Sequence, residues 1–135
     1  MPIDETLAAT HMSKEAFDFS FLVGSDGVST RHFKAGETVF KEGDPAAEVY
    51  VIWSGRVGIQ LGNRLLDTLE ANEIFGEMAL IDDKPRSATA VALTDVALVP
   101  IAEMQFLLLV TRKPAFALEV MRVLARRLRA ANKAL

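Results

Sequence analysis

The stretch Phe75-Gly76-Glu77-Met78-Ala79-Leu80-Ile81-Asp82-Asp83-Lys84-Pro85-Arg86-Ser87-Ala88-Thr89 interrupts a chain that reads as short β-strands on either side. Strand signals stop at Leu69, and Glu77 to Ile81 reads as one turn of helix. Lys84-Pro85 ends that turn, because a residue before proline is driven out of the α region. The residue types suggest a chemistry. Gly76 lets the backbone come close to a ligand. The first N–H groups of a short helix have no internal partners and attract anions. Arg86 offers a planar, permanently charged donor fork that suits a phosphate. Ser87 adds a hydroxyl, Ala88 an N–H beside little bulk, and Glu77 an acceptor for hydroxyl protons. An anion on Arg86 and a hydroxylated ring on Glu77 describe a sugar phosphate. A structural ion pair between Glu77 and Arg86 is the plainer reading, but it leaves Gly76, Ser87 and Ala88 unexplained.

Outward from this stretch, segments rich in Val, Ile, Phe and Tyr predict strands at His32–Phe33, Thr38–Phe40, Val49–Trp53, Arg56–Leu61, Leu65–Leu69, Ser87–Ala92 and Val96–Pro100. Ser54-Gly55 and Gly62-Asn63 carry hairpin signals, since Gly and Asn tolerate positive φ. Regular short strands with frequent turns point to a β-roll or barrel. Tyr50 and Trp53 are read as core residues rather than stacking platforms.

From Ala102 the period becomes helical. One helix is expected over Ala102–Val110, with a break at Thr111-Arg112-Lys113-Pro114. Pro114 opens a second helix running to about Lys133. Leu118, Met121, Ala125, Leu128, Asn132 and Leu135 recur at spacings of three and four. This stripe is expected to face the core in its first half and a partner helix further on. Residues 1–30 give weak signals: a short helix over Leu7–Phe17 and a turn at Gly24-Ser25-Asp26-Gly27.

Bulk properties bound the function. The 135 residues, half of them hydrophobic and a quarter charged, suit one compact domain with a substantial core. There is no cysteine, hence no disulfide, thiolate metal site or cysteine nucleophile. The N-terminus carries Asp4 and Glu5 and no apolar run, so it is not a signal peptide. The apolar run Phe106–Val110 is far too short to span a bilayer. The cytoplasm is the expected location. Net charge is −3, yet seven basic residues stand against Glu119 from Arg112 onward. They read as a solvated helix face rather than a surface for an anionic partner. His11 and His32, the only histidines, are isolated and argue against a metal site. Asp82-Asp83 reads as a solvated turn. No Ser-His-Asp spacing and no G-x-x-x-x-G-K is present, and no catalysis is expected.

The stretch from Phe75 to Thr89 resembles the phosphate-binding cassette of the cyclic nucleotide-binding domain family, FGE-[aliphatic]-AL-x(3–4)-PR-[small]-A-[ST]. Phe40-Lys41-Glu42-Gly43-Asp44 and Tyr50-Val51-Ile52-Trp53-Ser54-Gly55-Arg56-Val57 resemble the family's early strands, and the similarity covers about residues 32–133. The resemblance implies an α+β fold: an antiparallel, jelly-roll-like β-roll over 31–101, flanked by an N-terminal arm over 1–30, partly helical or disordered, and by C-terminal helices over 102–133. It implies that Glu77 accepts from the ribose 2′-hydroxyl and that Arg86 pairs with the cyclic phosphate. Gly76, Ser87 and Ala88 would add phosphate or sugar contacts, with Phe75, Met78 and Ala79 lining the site. The family's last helix often closes over the base, and Arg127, Arg129 and Asn132 are the polar residues available for that.

Such a domain would be a sensor in which cAMP moves the helix Pro114–Lys133; cGMP is the second candidate, because Ser87 can offer its hydroxyl either to the phosphate or to a guanine amino group. The family's usual N-terminal helix is not clearly written in residues 17–31, and no helix-turn-helix follows the last helix. A stand-alone domain without direct DNA binding is expected, with a homodimer or partner protein met through the C-terminal helix. The alternatives are an interaction or dimerisation module that keeps the fold without the nucleotide, and the regulatory fragment of a larger protein.

Overall fold

The strand Glu48–Ser54 shows how the molecule is layered. Val49 and Val51 belong to one buried cluster and Tyr50 and Ile52 to another, so alternate residues serve two different cores. A strand buried on both faces has no polar face, which is why its sequence is a near-continuous apolar run. The computed structural model describes residues 17–22 and 28–133. The helix expected over Leu7–Phe17 (Phe17 itself apart), the turn at Gly24–Gly27 and the stripe's last member Leu135 lie outside them.

Eight strands form: β1 (Arg31–Phe33), β2 (Thr38–Phe40), β3 (Glu48–Ser54), β4 (Val57–Leu61), β5 (Arg64–Leu69), β6 (Ile74–Phe75), β7 (Thr89–Ala92) and β8 (Val96–Ala102). They make two four-stranded sheets, ordered β1-β8-β3-β6 and β2-β7-β4-β5. Every pairing is antiparallel. Ile52, Val57, Leu69, Phe75, Ala90, Ala92 and Leu98 fill the space between the sheets. Val49, Val51, Ile74, Val99 and Ile101 face the helices instead. This is the antiparallel β-roll with flanking helices that the sequence predicts.

Three local expectations are corrected and one is met. β6 is an additional strand, pairing Tyr50 with Phe75 and Val51 with Ile74; two residues are too few to show alternation. Ser54-Gly55 is not a hairpin. β3 and β4 lie in different sheets, and Gly55, at φ 92°, carries the chain across. A Cβ there would lie 2.3 Å from the carbonyl oxygen of Asp95, so the crossing requires glycine. Gly62-Asn63 does close a hairpin, joining β4 to β5 with Leu61 opposite Arg64. Trp53 is exposed rather than core, whereas Tyr50 is buried.

A short helix, Glu103–Arg112, and a long one, Ala115–Lys133, follow β8. The Gln105 side chain starts the first by accepting from the Ala102 N–H at 2.9 Å. Pro114 separates the two, and Lys113 before it has left the helical region at φ −138° and ψ 84°. The long helix buries Phe116, Glu119, Val120 and Val123. The expected stripe is therefore not a core face even in its first half: Leu118, Met121 and Leu128 are all exposed. Phe116 decides the rotation. It is fully buried among the rings of Phe17, Phe19, Phe21 and Phe106, at centroid distances of 5.3 to 6.1 Å. The weakly signalled N-terminal segment thus supplies core, with Phe19 and Leu22 buried around the 3₁₀ turn Ser20–Leu22.

Candidate functional site

Gly76 ends β6 with φ 75°, and the 3₁₀ helix Glu77–Leu80 begins at once. That left-handed step turns the chain away from the sheet and leaves room beside the Gly76 backbone. The Arg86 side chain uses the room: its Nη1 donates to the Gly76 carbonyl at 3.2 Å and its Nη2 to the Glu48 carbonyl at 2.6 Å. A Cβ on Gly76 would stand 2.8 Å from that Nη1. The guanidinium carbon also lies 4.0 Å from the centre of the Phe40 ring, a cation–π stack.

The backbone of Arg86 is fastened too. Its N–H donates to the Asp44 carbonyl and its carbonyl accepts from the Gly43 N–H, both at 2.8 Å. The Thr89 hydroxyl accepts from the Glu42 N–H at 2.9 Å. The loop that follows β2 is therefore a clamp that holds Arg86 at a set depth. Glu48 braces the other side. Its carboxylate receives the Arg31 guanidinium at 3.0 and 3.3 Å and the Tyr50 hydroxyl at 3.1 Å. Burial alone would raise the Glu48 pKa, but the Arg31 hydrogen bonds and charge outweigh it and hold the carboxyl below its ordinary value. Burial raises the Tyr50 phenol.

Arg86 is only 8% exposed and forms no ion pair among the described residues. Its Nε is buried without a hydrogen-bond partner. Burial lowers its pKa, with Tyr50, Glu48 and Glu77 acting in the other direction. A buried cation held by carbonyls and an aromatic ring, with a donor to spare, has the chemistry to receive an anion. The plainer expectation, a Glu77–Arg86 ion pair, is not what forms. Glu77, 7% exposed, is instead engaged by Arg127 of the long helix, whose second terminal nitrogen donates to the Ile74 carbonyl.

These groups surround a cavity of about 210 Å³. Phe75, Gly76, Glu77, Met78, Arg86, Ser87, Ala88 and Arg127 line it. Ala79, Arg129 and Asn132 do not, and Arg129 and Asn132 are exposed. Arg127 is the member of that trio on the buried face, since 116, 120, 123 and 127 follow helical spacing. Sequence reasoning missed Phe40, Ile59, Asp67 and Leu69, which close the cavity from β2, β4 and β5. Asp82 is tied into its own turn by accepting from the Lys84 N–H at 3.0 Å. Among the described residues no helix is long and apolar enough to cross a membrane, and no cluster of metal-ligating side chains occurs.

The chain is similar to known proteins in sequence and in fold. Residues 30–113 match the model of the family described as "Cyclic nucleotide-binding domain". The cyclic AMP receptor protein of Thermus thermophilus is 38% identical over 107 residues, which cover 76% of this chain and 50% of that protein. The crystal structure of the Thermus thermophilus catabolite activator protein superimposes with a TM-score of 0.72 at 32% identity, covering 99% of this chain and 58% of that one. The cAMP-bound form of the EAL enzyme Bd1971 gives a TM-score of 0.57 at 38% identity over 78% of this chain and 30% of that one, and a cGMP-bound form of the same enzyme is also similar. The chain spans about half the length of the first curated relatives it matches. It belongs to the cyclic nucleotide-binding domain family.

Proposed function

We propose that this member of the family binds a 3′,5′-cyclic nucleotide, cAMP in preference to cGMP, in the cavity between the cassette and the long helix, and that it acts as a regulatory domain rather than as an enzyme. Arg86 and the backbone around Ser87 and Ala88 hold the cyclic phosphate. Glu77 accepts from the ribose 2′-hydroxyl. The observation that carries this reading is Arg86, a buried cation with no ion pair among the described residues and an unpartnered Nε beside the cavity.

Arg127 supplies the coupling. It ties the long helix to the residue the ribose would use, so ligand and helix share Glu77. A ligand that changes the Glu77–Arg127 contact shifts the balance between helix positions. The exposed row Leu118, Met121 and Leu128 gives the same helix a second face, on which two copies of the chain pair.

Calorimetry and thermal shift with cAMP, cGMP and AMP test the reading. The parent should gain melting temperature with cAMP, because a ligand bound only to the native state stabilises it. Arg86→Ala should weaken cAMP binding by about tenfold to a hundredfold. Equal affinity in the two proteins, or no shift at millimolar nucleotide, would overturn it.

A further inference from the structure

Glu48 touches Arg86 with one of its groups and withholds the other. Its carbonyl accepts from Arg86 Nη2 at 2.6 Å. Its carboxylate accepts instead from the Arg31 guanidinium at 3.0 and 3.3 Å and from the Tyr50 hydroxyl at 3.1 Å. Alternate residues of a strand share a face, so the Glu48 side chain leans the same way as that of Tyr50, toward the interior of the roll. The centre of the Tyr50 ring is 5.8 Å from the Arg86 guanidinium carbon. The Glu48 carboxylate is thus bonded to a tyrosine that lies against Arg86. Arg31 reaches it from β1, across β8, which lies between β1 and β3.

The following step rests on the cyclic-nucleotide reading above. Two kinds of anion can answer a buried guanidinium: the phosphate of a ligand, or a carboxylate of the protein itself. Arginine and carboxylate match in charge and geometry, and the low dielectric of a buried site strengthens the pair. An internal carboxylate would therefore compete with the ligand at all times. Glu77 is engaged by Arg127. Glu48, whose carbonyl already holds Arg86, is the carboxylate placed to make such a pair, yet Arg86 forms no ion pair among the described residues. We propose that Arg31 is a positioning residue: by occupying the Glu48 carboxylate it keeps Arg86 open to the cyclic phosphate. Neither Arg31 nor Glu48 lines the cavity, so their effect on affinity passes through Arg86. The pair is not chiefly a stabilising one. Its side chains are 46% and 28% exposed, and ion pairs in contact with water contribute little to folding.

The test measures cAMP affinity by calorimetry in the parent, Arg31→Ala, Glu48→Gln and the double variant, with the melting temperature of each unliganded protein alongside. Arg31→Ala should bind cAMP about tenfold more weakly, because the released carboxylate neutralises Arg86. Glu48→Gln, which keeps the backbone carbonyl and removes the competing charge, should stay within a fewfold of the parent. The double variant should recover to the same level, and Arg31→Lys, which keeps a cation on Glu48, should bind nearly as the parent does. A simple brace has the opposite signature: Glu48→Gln and the double variant would be as weak as Arg31→Ala. That pattern, parent affinity in Arg31→Ala, or an Arg31→Ala protein that loses its fold would overturn the inference while leaving the cyclic-nucleotide reading in place. If the parent itself binds no cAMP, that reading falls and takes the inference with it.

Discussion

At the scale of single residues, the site depends on how little space Gly76 occupies. Gly76→Ala meets two obstacles: a positive φ that costs roughly 1–2 kcal/mol for an L-residue, and a Cβ placed 2.8 Å from Arg86 Nη1. The expected outcome is a loss of about 1–3 kcal/mol in urea denaturation together with weaker cAMP binding, because the guanidinium must leave the Gly76 carbonyl. A variant with unchanged stability and affinity would show that Arg86 does not need this position. Glu77 and Arg86 were legible in sequence because the cassette is contiguous and each residue type has one obvious use. Arg127 was legible only as one of three, since a list of polar residues carries no helix rotation. Its rotation follows from Phe116, Val120 and Val123, which the more regular Leu118–Met121–Leu128 stripe obscured. Asp67 was not legible. Between Leu65 and Leu69 it reads as a polar break in a strand, and the cavity it lines is assembled from residues far apart in the chain, Arg127 of the long helix among them.

At the scale of elements, the long helix is held at its start by an aromatic cluster and further along by Arg127. Phe116 is fully buried and contacts the rings of Phe17, Phe19, Phe21 and Phe106. Phe116→Ala should cost about 3–5 kcal/mol, the range for truncating a buried phenylalanine. The loss should appear in chemical denaturation, and hydrogen exchange should show faster exchange in the long helix than in β3 and β8. Uniform exchange across helix and sheet would mean that the helix is not separately anchored. Most strands were legible because burial on one or both faces leaves long apolar runs. The 3₁₀ turn Ser20–Leu22 was not, because three residues have no period; its signal was instead the density of Phe17, Phe19 and Phe21. The short helix extends to Arg112, two residues past the expected end, since only Pro114 stops it.

At the scale of the whole molecule, the outer face of the long helix is an apolar surface left exposed by this chain. Leu118, Met121 and Leu128 are 44%, 57% and 63% exposed, and their spacing of three and seven is that of a coiled-coil seam. Analytical ultracentrifugation should find a dimer that dissociates on dilution, and Met121→Lys should be monomeric while keeping cAMP affinity within a fewfold. A parent that stays monomeric at millimolar concentration would exclude this seam. The roll itself was legible as a whole, from strand number and turn spacing. The division into two sheets was not: Ser54-Gly55 has the composition of a hairpin and serves as a crossing, and only the close approach to Asp95 and Val96 distinguishes the two.

The two-faced strand β3 has a consequence for how such a molecule can diverge under selection. Val49 and Val51 are answerable to the helices, Tyr50 and Ile52 to the interior of the roll beneath the site. Neighbouring codons therefore lie under separate pressures. Substitution at Tyr50 or Ile52 is felt inside the roll and substitution at Val49 or Val51 in the anchoring of the helix, so the two can vary side by side along seven residues of chain.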